Sequence, residues 1–356
     1  MKILFITRKY PPQIGGMENY SYDLIHFVQA EKKVIALTKS QINLIWFLPW
    51  ALIKAFFLIS KVDLIYLTDS LLAPLGFILK KLSGKPVMAT AHGLDITYPN
   101  PFYQKINVGS LKKLDKVIAI SPETVRRCLQ KNIPQSKIIQ IPDGINCAKF
   151  YDPGLNREDL QKIIPIDISH RKILLSVGRL VKRKGTAWFI SQIMPKLSSD
   201  TLYLVVGGGP EEPKIKKAIS QAGLADRIIL LGKIADDDLQ IIYNTADIFI
   251  MPNVKIAGDM EGFGLVALEA AAAGLPVVAA SLEGIKEAIT DQQNGFLLES
   301  GQTEPWIKKV TSLLQDNQTR SEFSRKAREY TKQNFDWPQI AQLYLEQFRK
   351  IVGDNS

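Results

Sequence analysis

Glu261 and Glu269 lie in the run MEGFGLVALEAAAAGLPVVAA (260–280), with seven residues between them. The first stands at a turn carrying Gly262 and Gly264, and the second falls more than a turn inside the apolar helix expected to open directly after it. Glycine lets a backbone approach a ligand closely. The first N–H groups of a helix have no intrahelical partner and favour an anion. Two carboxylate acceptors beside a set of free amides suit a polyhydroxylated ligand that carries phosphate. A plain strand–helix unit with solvent-facing carboxylates fits the spacing of the pair equally well. The surroundings favour binding, because Glu269 is the only charge in 265–273, and an ionisable group in a core-like segment needs a partner or a ligand.

These groups need elements to position them. Apolar, strand-like runs recur at 3–6, 33–37, 64–67, 87–91 and 117–120, and again at 173–177, 202–206, 228–231, 248–251 and 276–279. Helix-length segments separate most of them, which predicts an α/β protein with two doubly wound parallel sheets. At 356 residues and 46% apolar composition two domains are expected, because single cores rarely grow beyond roughly 250–300 residues. The boundary is placed in 157–170, a charged stretch with Pro165 and no clear strand, giving domains 1–165 and 166–336. Residues 337–352 are amphipathic at helical spacing.

Ligands of open α/β sheets bind beyond the carboxyl ends of the strands, so the loops there carry the other candidates. Gly15 and Gly16 follow the first strand and either cradle a phosphate or turn the chain. His92 follows the fourth, beside Gly93 and three residues before Asp95, where a histidine bonded to its own loop is the simpler reading. Gly178 and Arg179 are followed by Lys182, Arg183, Lys184 and Gly185, a basic run at a strand end that suits a diphosphate. Gly207, Gly208 and Gly209 end the next strand and leave backbone open to a ligand.

The net charge of +10 agrees with an anionic small molecule, a nucleic acid or an acidic membrane, and does not choose among them. Two separated cysteines and three scattered histidines fit a reduced, cytoplasmic, metal-independent protein. The start MKILFITRKYPP is too short in apolar length for a signal peptide and reads as the first strand. Asp236, Asp237 and Asp238 read as a helix N-terminus and not as a metal site.

Taken together, Gly15-Gly16, His92, Ser121-Pro122-Glu123-Thr124, Ile141-Pro142-Asp143-Gly144-Ile145-Asn146, Val177-Gly178-Arg179 with Lys184-Gly185, Gly207-Gly208-Gly209-Pro210 and Glu261-Gly262-Phe263-Gly264 with Glu269 resemble a retaining glycosyltransferase of family four. The resemblance covers nearly the whole chain. It implies the GT-B fold, two Rossmann-like domains facing across a cleft with the final helix, 337–356, packed back on the amino-terminal one. It also implies a UDP- or GDP-sugar donor, with no cofactor beyond it. Arg179 and Lys184 would bind the diphosphate, and Glu261 the transferred sugar. The backbone of Gly262, Phe263, Gly264 and Leu265 would lie near sugar and phosphate. Glu269 would take the ribose, His92 would reach the reacting carbon, and Gly16 would let its loop approach. The family's asparagine appears here as Asp143 and its aspartate as Asn146, and its Gly-Gly-Ile-Pro-Glu element is reduced to Glu283-Gly284-Ile285-Lys286-Glu287. A noncatalytic GT-B scaffold and a GT-B epimerase are the competing readings; the retained Arg179, Lys184, Glu261 and Glu269 favour the transferase.

Residues 44–60 carry one charge, Lys54, with Trp46, Pro49 and Trp50. The run is too short for a span of ~20 apolar residues and is expected to be a crossover helix with one face partly exposed. Lysines on either side suit an anionic membrane. A lipid-linked or cell-surface glycan acceptor, attachment through 44–61 to the inner face of the cell membrane, and no nucleic acid partner are therefore expected.

Overall fold

The structure is a computed structural model that describes all residues except Ile14, Gly258, Met260, Glu283 and 354–356, and the side chain of Leu94. The chain divides into two compact units, Met1–Ile145 with Phe335–Ser356, and Asn146–Asn334. The boundary thus lies ahead of 157–170. That segment is no linker: Arg157–Ile163 is a helix with an Asn156/Asp159 capping box, Leu160 is fully buried, and Arg157 reaches Asp247 of the second unit at 2.6 Å. Local capping and burial outweigh the charged composition of the segment.

In the first unit β1 (Lys2–Thr7), β2 (Glu31–Ala36), β3 (Leu64–Leu67), β4 (Val87–Ala91), β5 (Lys116–Ala119) and β6 (Ile138–Gln140) form one sheet in the order β2-β1-β3-β4-β5-β6. All its pairs are parallel. Strands covered on both faces must be apolar throughout, and β3 and β4 are buried at every residue. Helices α1 (Gly16–Phe27), α2 (Leu44–Phe56) and α3 (Ala73–Ser83) follow the first three strands. The helix Trp337–Val352 completes the core on one face, packing Trp337, Tyr344 and Phe348 with Ile3, Phe5 and Tyr66.

In the second unit β7 (Lys172–Val177), β8 (Thr201–Val206), β9 (Ile228–Gly232), β10 (Ile248–Met251), β11 (Val277–Ala280) and β12 (Phe296–Leu298) are ordered β12-β11-β10-β7-β8-β9. Read from β9 this is the dinucleotide-fold order, with its direction reversing between β7 and β10. In the first unit the reversal lies between β1 and β3. Each unit has one strand more than the repeating apolar runs indicate: β6 and β12 are three-residue edge strands, too short to show a period.

Candidate active site

The β7/β10 switch point gathers the charged groups of the second unit. The loop after β7 supplies Gly178, Arg179 and, after a short turn, Arg183 and Lys184; the loop after β10 supplies Asn253. Gly185 presents Lys184 in a left-handed conformation (φ 68°), where an added Cβ would meet the Pro252 carbonyl oxygen at 1.9 Å. Gly207 has a packing role of the same kind, since a Cβ there would lie 2.0 Å from the Gly178 oxygen. Between these loops is a cavity of about 20 Å³ lined by Gly178, Arg179, Lys184 and Asn253, room for about one water.

Glu261 is the hub. Lys184 Nζ lies 2.7 Å from its Oε2, Asn253 Nδ2 donates to the same oxygen at 3.0 Å, and the Arg183 guanidinium bonds it as well. Arg183 also pairs with Asp259 at 3.1 Å. Burial opposes the Glu261 charge, but Lys184 and Arg183 outweigh it and hold the carboxyl below its ordinary range. Arg179 is exposed, and no described side chain bonds its guanidinium. Glu269 is the fifth residue of the helix Leu265–Ala272 and accepts the Tyr243 hydroxyl on Oε2 at 2.9 Å. Burial raises its carboxyl above the ordinary range. Gly262, Phe263 and Gly264 run into that helix, with Gly264 as its N-cap residue; Gly208 and Gly209 follow β8. Asp236, Asp237 and Asp238 form the first turn of the helix Asp236–Thr245. No group of three potential metal ligands occurs among the described residues.

Gly15, Gly16 and His92 belong to the first unit. The Glu18 carboxylate folds back on Gly15, where a Cβ would lie 2.5 Å from Oε2, and Lys9 pairs with Glu18 at 2.9 Å. His92 Nε2 is 2.9 Å from the Thr68 carbonyl oxygen. A carbonyl only accepts, so Nε2 carries a proton and donates in this contact. The His92 amide donates to Asp95 Oδ1 at 3.0 Å, and Tyr20 meets the ring edge-on at 4.8 Å. The simpler reading, a histidine bonded to its own loop, holds for the amide alone, which bonds Asp95; the ring is held by the backbone of the loop after β3. Asp143 is 3% exposed and takes the Gly144 amide at 2.9 Å. Burial pushes its carboxyl up to about 7, against the opposing effect of His92. Glu283 of the reduced element lies outside the described residues.

Sequence reasoning passed over Arg183, Asn253 and Tyr243 as site residues. Asn253 follows β10 at the switch point, so the rule that drew attention to the other loops also covers it. Arg183 stood in the basic run, but its turn toward Glu261 depends on a contact 78 positions away.

Residues 4–149 match the family model described as Glycosyltransferase Family 4, and residues 158–330 match Glycosyl transferases group 1. An uncharacterized glycosyltransferase of Methanocaldococcus jannaschii is 26% identical, with 96% of each chain covered. A GDP-mannose-dependent alpha-(1-6)-phosphatidylinositol monomannoside mannosyltransferase of Mycobacterium tuberculosis is also 26% identical, over 72% of this chain and 67% of its own. Among solved structures, Anabaena HepE in complex with UDP superposes with a TM-score of 0.80 at 20% identity, over 98% of this chain and 100% of that one. With both halves matched in order and both sheets of the expected kind, the chain belongs to the group 1 glycosyltransferases of GT-B fold.

Proposed function

We propose that the protein transfers a hexose from a UDP- or GDP-sugar to a lipid-linked or cell-surface glycan acceptor, with retention at the anomeric carbon and without a metal ion. The observation that carries this reading is the cluster in which Lys184, Arg183 and Asn253 hold Glu261 at the β7/β10 switch point with Arg179 beside it. Arg179 and Lys184 neutralise the diphosphate as it leaves with the electron pair of the anomeric C–O bond, work otherwise suited to a divalent cation. The acceptor hydroxyl oxygen forms the new bond, and its proton passes to the departing phosphate. Glu261 takes sugar hydroxyls. Glu269, with one oxygen already on Tyr243, takes the ribose. Gly178, Gly208, Gly209 and 262–265 offer backbone to the donor, while His92 and the Gly15–Gly16 loop serve the reacting end. The names of the relatives support a nucleoside diphosphate, UDP in one and GDP-mannose in the other, and a lipid acceptor in the mycobacterial enzyme.

We place the protein on the inner face of an anionic cell membrane through α2. Trp46 is 77% exposed, and Ile45, Ile53, Phe56 and Phe57 stand out beside it. No helix among the described residues is long and apolar enough to cross a membrane.

The test is release of nucleoside diphosphate from UDP- and GDP-hexoses in excess chelator, with proton NMR of the earliest product. Turnover should persist and the anomer should match the donor. Loss of activity in chelator with recovery in magnesium, or an inverted anomer, overturns the corresponding part of the reading.

A further inference from the structure

The first unit holds a cavity of about 340 Å³ that donor chemistry does not use. Leu71, Pro74, Tyr98, Phe102 and Ile106 form its apolar wall, and Asn100 and Asn107 are the amides among them. Phe102 is 73% exposed, so the wall stands open to solvent.

Asn107 gives an independent indication of a ligand. Its side chain is 3% exposed, and Nδ2 donates to the carbonyl oxygens of Ser70 at 3.0 Å and Leu71 at 2.9 Å. Those two bonds fix the amide and leave Oδ1 buried with no hydrogen-bond partner. Such an acceptor is destabilising unless a donor reaches it. The backbone here makes a turn of π-helix, Gln104–Val108, a geometry found frequently at functional sites.

The cavity wall is tied to the His92 loop. Asp95 accepts the His92 amide on Oδ1 and the Ser70 hydroxyl on Oδ2 at 2.7 Å, and the Tyr103 hydroxyl donates to its carbonyl. Ser70 in turn carries Asn107. One aspartate therefore joins the histidine proposed to face the reacting carbon to the wall of an apolar recess.

Outside, the apolar surface continues. Pro74, Ile78 and Leu82 recur every fourth residue on α3 and share one stripe; Pro74 lines the cavity, and Ile78 and Leu82 are exposed. Lys81 and Lys113 lie over the Phe77 ring of the same helix at 4.9 and 4.6 Å, which edges the stripe with cations. Helix α2, with its exposed apolar face, packs against α3.

The geometry points to an acceptor-chain site: the recess takes the first part of the hydrocarbon chain of an anionic lipid-linked acceptor, which enters along α3, while a hydroxyl near the head donates to Asn107 Oδ1. This rests on the lipid-acceptor reading above. The volume is at the low end of the ~300–1,000 Å³ usual for small-molecule sites, so it suits a segment of chain and not a whole lipid. A soluble glycan would leave the apolar wall uncovered.

The test is photolabelling of the full chain, without vesicles, by a farnesyl monophosphate carrying a diazirine in its chain, with adducts mapped by peptide mass spectrometry. Adducts are expected on 98–107. Phe102→Glu should reduce them about tenfold, the equivalent of ~1.4 kcal/mol, while Phe102→Leu and the pair Trp46→Glu, Trp50→Glu keep them. Adducts confined to α2 or α3, full labelling in Phe102→Glu, or competition by glycerol phosphate as strong as by unlabelled farnesyl phosphate would each overturn the site. Donor hydrolysis is read in the same samples. Hydrolysis without labelling sinks the recess and leaves the transferase; labelling without hydrolysis sinks the transferase and leaves a lipid site.

Discussion

The two glutamates that first mark the chain sit in different environments, and their roles should separate accordingly. Glu261 is fixed by two cations and an amide, whereas the hydrogen bond to Glu269 among the described residues comes from a neutral group, the Tyr243 hydroxyl. Glu261→Gln should lower turnover more than nucleotide affinity. Glu269→Gln should weaken free nucleoside diphosphate by roughly 1–3 kcal/mol, the scale of a lost charge-assisted bond. Calorimetry beside steady-state kinetics decides, and equal losses of nucleotide affinity contradict the assignment. Asp143 offers a pH test. Its carboxyl titrates near about 7 in the fold and near about 3.9 in the unfolded chain, so between those values the native state holds the extra proton. Stability falls as pH rises across that window, and the penalty is complete above it. Asp143→Asn keeps an acceptor for Gly144 and removes the ionisation. Its melting temperature should exceed that of the native protein at pH 8, with the gap closing toward pH 4; a gap constant with pH would refute the buried-carboxyl account.

Helix α2 shows how one element can serve two environments. Phe47, Ala51 and Ala55 are buried against the core, with Leu44, Leu48 and Leu52 beside them, while Ile45, Trp46, Trp50, Ile53 and Phe56 stand in solvent. An inward stripe at helical spacing is what a sheet-covering helix requires; an outward face of tryptophan and phenylalanine is surplus to it. Phe47→Ala should therefore cost ~3–5 kcal/mol of stability. Trp46→Glu with Trp50→Glu should stay within about 0.5 kcal/mol per site. That double variant should no longer sediment with phosphatidylglycerol vesicles, whereas the native protein should bind them less as salt rises. Unfolding of the double variant, or undiminished binding, would remove the membrane role from this helix.

At the scale of the molecule, the amino-terminal unit is completed by the end of the chain. Backbone bonds join Ile145 to Phe335 and Trp337 to Ile145, each at 2.9 Å. Tyr344 reaches Tyr20 through their hydroxyls at 3.0 Å, and Phe348 meets Tyr66 edge-on at 4.9 Å. Helix α1 covers the same face with Tyr20, Leu24 and Ile25, and without the aromatic side chains of the final helix the rest of that face would be bare apolar surface. Residues 1–145 expressed alone should lack a cooperative melting transition, and the peptide 335–356 added in trans should restore one. A native-like transition in 1–145 alone would show that the helix is an accessory.

The alternation of apolar runs by itself determined the α/β class and most strands of both sheets, because a strand buried on both faces has to be apolar at nearly every position. The positions of Arg179, Lys184, Glu261 and Glu269 were legible for a related reason: charge and glycine at the end of an apolar run are conspicuous against their background. The edge strands β6 and β12 were not legible, since three residues carry no period, and neither was the boundary at Ile145, because capping and burial in 156–163 contradict the linker-like composition of that segment. Only the tertiary structure decided that Arg183 and Asn253 converge with Lys184 on one carboxylate, and that Asn107 keeps an unused acceptor beside an apolar recess. Those arrangements depend on which strands become neighbours. Neighbours in a doubly wound sheet are set by long-range packing, to which no local stretch of sequence bears witness.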